Sequence, residues 1–449
     1  MRNQKNKPMV ETNVRIINEL KMFLERIMYN TEIRKEYTFS EDNFSRKRCL
    51  PFHTLVLFIL NLPKRSLSIE IDSFFNYLGR VSCTKSAFCQ QRKKLKAEFF
   101  RSWNSVLVHS FYHHYEEKVK RWKGFLLLAL DGSVMVLPNT EELSSLYGNA
   151  SSNRGEHGAV ARSGILYDVL NRLVINGKLH SFLTSERSVI FELLKELPEN
   201  SLLTFDRGYP SFWLFYLLLQ KPEYKFVMRV STEFNNTIKS FMHSSEQDSI
   251  VSFHPHHETV KQMREMGLKI TKETAINLRL VKILLSTGET EILITNLFQS
   301  ETYSITDLKE VYALRWGIET FYGTAKNQLQ IECFSGIKQI CIEQDYFANL
   351  FVFNLQNIIE RQSEPALEKI NGQRTLSYKI NKNIAWASLK NRLVLLFLTN
   401  DCSKILLELQ MLFQQYLEPV RPDRKFPRIR KTLHGNGKYR TLTNYKRAI

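Results

Sequence analysis

The sequence predicts an α/β protein, with a mixed core in the middle of the chain and helical regions at both ends. Three observations carry this. The run Gly124–Leu130 is continuously apolar and ends in Asp131-Gly132-Ser133, the pattern of a strand buried on both faces. Ser201–Phe205 repeats the pattern, a short apolar strand followed by Asp206-Arg207-Gly208. Thr306–Gln330 lacks proline and spaces its apolar residues helically, so a late helix follows the strands.

Residues 1–120 read as helical and basic. Val14, Ile17, Leu20, Leu24 and Ile27 recur at helical intervals over Asn13–Tyr29. Phe44–Leu62 opens with the basic run Arg46-Lys47-Arg48 and then turns apolar. In Ser82–Phe100, Thr84 or Ser82 caps a helix that shows Lys85, Arg92, Lys93, Lys94 and Lys96, while Phe88, Leu95 and Phe99 pack inward. Gln90 and Gln91 would reach base edges from such a helix. A solvated basic helix on an all-α domain is the alternative reading.

Residues 121–229 form the first part of the core. Val160–Asn171 and Arg172–His180 read as a hairpin, with Gly164 weakening the first strand. Ser185–Leu197 is an amphipathic helix capped by Ser185, Pro210–Gln220 an apolar helix, and Tyr224–Val230 a strand. The stretch between Asp206 and Glu319 is longer than one core needs, so residues 230–290 are expected to be a β-rich inserted segment. Its strand-like pieces are Ser249–Phe253, Asn277–Leu285 and Glu291–Asn296, the last leading back into the core. Residues 291–365 resume the core with the late helix and a second apolar helix, Gln344–Arg361. In 366–449, Gly372–Lys382 is a polar linker, and Asn383–Leu417 holds one or two helices. Arg421–Ile449 is a basic tail with ten Lys or Arg against the single Asp423.

A formal charge of +18 over 449 residues points to a polyanionic partner. The content, 43% hydrophobic and 24% charged, is that of a soluble globular protein. Leu55–Leu62 and Phe212–Leu219 are too short to cross a bilayer, so no membrane partner is expected. The N-terminus has no apolar signal core, and six scattered cysteines without a CxxC give neither a disulfide framework nor a zinc site. The expected location is cytoplasmic, on the nucleoid.

The late helix carries the chemistry. Tyr312, Arg315, Glu319 and Lys326 share an arc beside the apolar stripe Leu314, Ile318, Phe321, Ala325 and Leu329. A solvated face with an Arg315–Glu319 ion pair is the plain reading of that arc. Gly317 and Gly323 each cost about 1 kcal/mol in a helix interior, which predicts close approach of something bulky. Strand, hairpin, helix and strand with an Asp after the first and the later strand, then a carboxylate on a late helix, is the pattern of the RNase H-like fold. Asp131, Asp206 and Glu319 converging on one spot would repel one another unless cations neutralise them. Asp168 is the rival aspartate and reads as a turn residue or as a support behind the ligands. The run from Phe253 to Glu258, with three histidines around Pro255, reads as a surface loop rather than a metal cluster.

With its full Tyr-x2-Arg-x3-Glu-x6-Lys pattern and both patterned aspartates, Phe125 to about Phe353 resembles the bacterial insertion-sequence transposases of the DDE class. The resemblance implies an RNase H-like catalytic core interrupted by a β-rich inserted segment. A helical N-terminal DNA-binding region and a helical, basic C-terminal region flank that core. It also implies that Asp131, Asp206 and Glu319 are catalytic and hold two Mg2+ ions, with Mn2+ as a substitute. Tyr312, Arg315 and Lys326 would bind DNA phosphates. The implied activity is cut-and-paste transposition by a homodimer on double-stranded DNA, transposon end and target. A non-catalytic DNA-binding regulator and an RNase H-like structure-specific nuclease are the alternatives. In hairpin-forming relatives a Trp of the inserted segment stacks on a flipped base. No Trp lies between Trp213 and Trp316 here, which leaves Phe234, Phe241 and Phe253 as stacking candidates or as core packing.

Overall fold

Six helices precede the first strand in the computed structural model, which describes residues 7–46, 49–61, 64–151, 157–285 and 288–421. They are α1 (Lys7–Tyr29), α2 (Thr31–Tyr37), α3 (Phe52–Leu60), α4 (Leu67–Tyr77), α5 (Lys85–Arg92) and α6 (Glu98–His114). Next come β1 (Leu126–Val136), α7 (Glu141–Tyr147), β2 (Asn149–Ser151), β3 (His157–Asp168), β4 (Leu173–Ser181) and α8 (Glu186–Leu193). β5 (Ser201–Phe205), α9 (Phe212–Leu219), β6 (Lys225–Val230), α10 (Asn236–His243), β7 (Asp248–Phe253) and α11 (His257–Glu265) continue the chain. β8 (Ile276–Leu284) and β9 (Thr290–Thr295) lead to α12 (Ile305–Leu314), α13 (Gly317–Asn327) and α14 (Gln339–Arg361). The last elements are α15 (Glu364–Asn371), β10 (Tyr378–Ile380), α16 (Lys382–Leu389), α17 (Arg392–Leu398), α18 (Ser403–Gln415) and β11 (Leu417–Pro419). Two units divide this chain: Met1–Lys118 with Met135–Ala161 and Gly323–Ile449, and Val119–Val134 with Arg162–Tyr322.

The first unit is built around α14, which packs against α3, α6 and α18. Trp103 of α6 stacks on Phe351 at 4.5 Å between ring centroids. This helix also buries polar side chains, and two of them pair with side chains of neighbouring helices. Asn354 Nδ2 donates to Asn104 Oδ1 at 2.7 Å, and Lys382 Nζ to Glu360 Oε2 at 2.5 Å. Buried polar groups left unpaired would cost about 1–3 kcal/mol each, so these contacts specify which helices α14 accepts. Asn383–Leu417 resolves into three helices rather than one or two. The expected linker Gly372–Lys382 contains β10, paired antiparallel with β11.

The second unit holds most of a large mixed sheet. Its strand order runs β3-β1-β5-β6-β9-β8-β7, with β4 paired to β3. β1, β5 and β6 are parallel neighbours; β6, β9, β8 and β7 are antiparallel. The five residues of β5 and the first five of β1 are buried, as apolar strands covered on both faces must be. Asp168 closes the β3–β4 turn, its carboxylate accepting from Asn171 N at 3.0 Å and Asn171 Nδ2 at 2.8 Å. That is the turn role read for it from sequence.

Two expectations need correction. β1 does not stop at Leu130 but runs through Asp131 to Val136, so Asp131 lies within a strand where burial falls off. In the expected inserted segment, β7 and β8 extend the main sheet through β9, α10 precedes β7, and α11 lies between β7 and β8. The late helix is broken after Leu314, and Leu314 is 41% exposed instead of facing the core. Ile318, Phe321, Ala325 and Leu329 are buried as expected.

Candidate active site

Asp131 and Asp206 are brought together by two parallel strands in register. β1 pairs β5 with Leu126 opposite Ser201 and Ala129 opposite Thr204. Carried two residues further, that register sets Asp131 beside Asp206 on strands roughly 4.8 Å apart. The buried Thr204 hydroxyl donates to Leu128 O at 3.2 Å and ties the strands just upstream. Each carboxylate accepts from the next backbone amide: Gly132 N to Asp131 Oδ1 at 2.8 Å, Arg207 N to Asp206 Oδ1 at 2.6 Å. Asp206 follows the last residue of β5, and Asp131 lies in β1 just past the stretch paired with β5.

Glu319 arrives on α13, and a glycine sets how closely that helix approaches. A Cβ on Gly317 would lie 2.7 Å from Val169 Cγ1, inside van der Waals contact. The close approach expected at the glycines therefore holds at Gly317. It does not hold at Gly323, where a Cβ would meet nothing within 4 Å. Tyr322 anchors the next turn, its hydroxyl lying 3.1 Å from both Asp131 O and Ser163 O. Sequence reasoning missed Tyr322, although its place one turn beyond Glu319 was the available signal.

Arg315 sits in the break between α12 and α13, as the C-cap of α12. Its Nη2 donates to Glu319 Oε1 at 2.8 Å, and its Nη1 lies 4.0 Å from Asp131 Oδ2. Only 5% of the residue is exposed. Burial works against its charge, yet Tyr312, Asp206, Glu319 and Asp131 outweigh burial and hold its pKa above the ordinary value. Burial also pushes the Asp131 carboxyl up to about 6. Asp206 and Glu319 push the same way, and the Gly132 N–H and Arg315 offset them in part. Three half-buried carboxylates and one buried guanidinium thus form a cluster with surplus negative charge. Among the described residues, no three His, Cys, Asp or Glu side chains stand close enough to hold one metal ion.

The other residues singled out from sequence are placed differently. Tyr312 is buried, in a core cluster with Leu127, Leu202, Val227 and Val311, and burial raises its hydroxyl pKa well above the ordinary range. Lys326 lies beyond the point where α13 passes into the first unit, 3.5 Å from Glu332. Phe241 and Phe253 are buried, and the half-buried Phe234 packs edge-on to Phe215 at 6.3 Å. Of the run read as a surface loop, His254, Pro255 and His256 form a loop, while Phe253 ends β7 and His257 and Glu258 open α11.

In the N-terminal region, Thr84 caps α5 by accepting from Ala87 N at 3.1 Å. α5 ends at Arg92 and α6 begins at Glu98, so the expected single helix is two. Lys85, Gln90 and Lys93 are exposed and Lys94 and Lys96 partly so. Arg92 is a correction: it is 1% exposed, because Gln344, Ser335, Asp345 and Cys341 O take up its guanidinium. Gln91 is buried too. Lys85, Lys93 and Lys338 border an open cavity of about 510 Å3 floored by Phe88 and Phe334. Lys47, Arg48 and the tail beyond Arg421 lie outside the described residues. No helix among the described residues is long and apolar enough to cross a membrane.

The sequence model of the family described as "Transposase DDE domain" matches residues 122–355, more than half of the chain. The candidate transposase InsZ of Escherichia coli (strain K12) is 28% identical over 126 residues, covering 26% of this chain and 42% of that relative. Among solved structures, a piggyBac transposase synaptic complex with hairpin DNA, from cryo-electron microscopy, superposes with a TM-score of 0.41. That match has 13% identity and covers 88% of this chain and 80% of that one.

Proposed function

Because this chain belongs to the transposase DDE-domain family, we propose that it is the transposase of an insertion sequence, working by a cut-and-paste route. On this reading it binds transposon ends, cuts DNA there and joins the freed ends to a target. One observation carries the reading. Parallel register sets Asp131 beside Asp206, and Arg315 links Glu319 to Asp131. The order β4-β3-β1-β5-β6, with β1, β5 and β6 parallel, supports an RNase H-like core.

The donor set suits a hard divalent cation, since all three side chains offer carboxylate oxygen. The charge surplus that helps hold Asp131 at about 6 is of the kind a cation relieves. Asp131, Asp206 and Glu319 would hold two Mg2+ ions, with Mn2+ as a substitute. Such ions, when bound, activate water and stabilise the leaving oxygen in phosphodiester cleavage.

The chain itself supplies position and charge. The strand register fixes the two aspartates, and the Gly317 contact together with Tyr322 fixes α13. Arg315 is suited to a phosphate by its bidentate fork and Lys326 as a point charge. Tyr312, being buried, supports Arg315 from the core. Lys85, Gln90, Lys93, Lys94 and Lys96 are assigned to DNA in the N-terminal region, with the net charge of +18 behind them. Joining two ends implies a homodimer on the DNA.

The test uses the full chain and a plasmid carrying its coding region with the flanking DNA. Asp131→Ala, Asp206→Ala and Glu319→Ala should each lose Mg2+-dependent strand cleavage while retaining band-shift binding to the flanks. A variant that still nicks at an appreciable rate removes its residue from the site. If the native chain binds the flanks but never cuts, it is a DNA-binding regulator instead.

A further inference from the structure

We propose that Arg315 is a displaceable internal counter-ion, which occupies the carboxylate cluster when no cation is bound and leaves it when one enters. Cation uptake and capture of DNA phosphate by Arg315 are then two halves of one exchange. The inference rests on the metal-dependent reading above and adds to it what must happen before the site is loaded.

The geometry argues for exchange rather than coexistence. The guanidinium takes an oxygen of Glu319 at 2.8 Å and stands 4.0 Å from an oxygen of Asp131. A divalent ion held by these two carboxylates would sit within a few ångströms of a fixed positive charge, which is unfavourable in a partly desolvated site. Among the described residues, no three acidic groups are close enough to share an ion while Arg315 holds Glu319 at 2.8 Å.

Arg315 is also held in a way that permits release. One side-chain hydrogen bond fixes it, to Glu319, whose own side chain is 33% exposed. The backbone of Arg315 is the C-cap of α12, ahead of the Gly317 contact with Val169. Its long side chain can therefore swing while the main chain stays fixed. Once out of the cluster, its planar fork suits a phosphate oxygen pair better than solvent does. A phosphate near the site would thus lower the cost of vacating it, and a bound cation would favour the guanidinium on the phosphate. Such coupling is reciprocal by thermodynamic linkage.

The experiment measures Mn2+ uptake by the full chain, counting free Mn2+ by electron paramagnetic resonance, with no cleavage readout. Without DNA, Arg315→Gln should bind Mn2+ roughly tenfold or more tighter than the native chain, because a fixed positive charge has been removed. Arg315→Lys, which keeps the charge, should stay near native. A short 5′-phosphorylated duplex from the flanking DNA should tighten Mn2+ binding to the native chain and add little to Arg315→Gln. The duplex arm needs no variant, so it stands even if Arg315→Gln folds poorly. Equal Mn2+ affinity for native and Arg315→Gln, with no gain from the duplex, overturns the exchange while leaving the metal site intact. If no protein takes up more Mn2+ than Asp131→Asn/Asp206→Asn, with or without DNA, the metal-dependent reading falls and the exchange falls with it.

Discussion

Two buried arginines in this molecule face carboxylates, and they do so in opposite ways. Arg92 makes four hydrogen bonds, to Gln344, Ser335, Cys341 O and Asp345. Its partner Asp345 is saturated in turn, accepting from Ser335 N at 2.5 Å and from the Ser335 hydroxyl at 2.7 and 2.8 Å. Among the described residues, Arg315 makes a single side-chain hydrogen bond, and it is surrounded by more negative charge than it can neutralise. Saturation marks a pair that locks a fold. Unbalanced charge at strand ends marks a place prepared for something else. Burial alone does not distinguish the two, since both arginines are almost fully enclosed; the count of partners does.

The largest expected effect lies on the saturated side. Arg92→Ala strands the Asp345 carboxylate and should cost about 3–5 kcal/mol of stability, measured by urea unfolding. Arg92→Met with Asp345→Leu removes both charges and should recover most of that loss. If the double variant is no better than the single, the pair contributes more than charge balance.

Next comes the unbalanced side, where the sign reverses. The Asp131 carboxyl sits at about 6 in the fold against an ordinary value of 3.8. The folded state therefore holds the proton more tightly than the unfolded state. Below about pH 4 both states are protonated and the group contributes nothing. As pH rises towards 6 and beyond, keeping Asp131 ionised and buried costs stability. Asp131→Asn should then stabilise the cation-free protein by about 2 kcal/mol at pH 8 and by little at pH 4. A melt in chelator at the two pH values reads this directly. A loss of stability at pH 8 would show that Asp131 belongs with the saturated kind.

Smaller effects sharpen how the unbalanced cluster is placed. Gly317→Ala forces a Cβ against Val169 and should cost about 1–2 kcal/mol by overpacking, shifting α13 and Glu319 with it. Gly323→Ala meets open space and should gain up to about 1 kcal/mol from helix propensity. Equal effects at the two glycines would mean that the Gly317 contact does not set the approach of α13.

Much of this was legible in the sequence, for identifiable physical reasons. Asp131 and Asp206 each follow an apolar run, and the spacing of Arg315 and Glu319 puts them one helical turn apart. Local pattern was enough for these. The break after Leu314 was not legible, because the stretch lacks proline and keeps its helical spacing across the break. Arg92 looked like one more cation on a basic helix face. Its inward turn depends on Asp345 and Gln344, far away in sequence. The inserted strands were seen as strands, but joining the main sheet is a matter of pairing β8 with β9, and alternation along one strand does not specify its neighbours.

The central claim is that Asp131 and Asp206 hold the cation that cleavage needs, and replacing an oxygen ligand by sulfur tests it most directly. Asp131→Cys and Asp206→Cys should each lose cleavage of the flank-bearing plasmid in Mg2+, which thiolate binds poorly, and regain part of it in Mn2+ or Cd2+. Asp131→Ala and Asp206→Ala should regain nothing in any of these ions. Rescue of the alanine variants, or failure of both cysteine variants to respond to the softer ions while still binding DNA, would contradict the account.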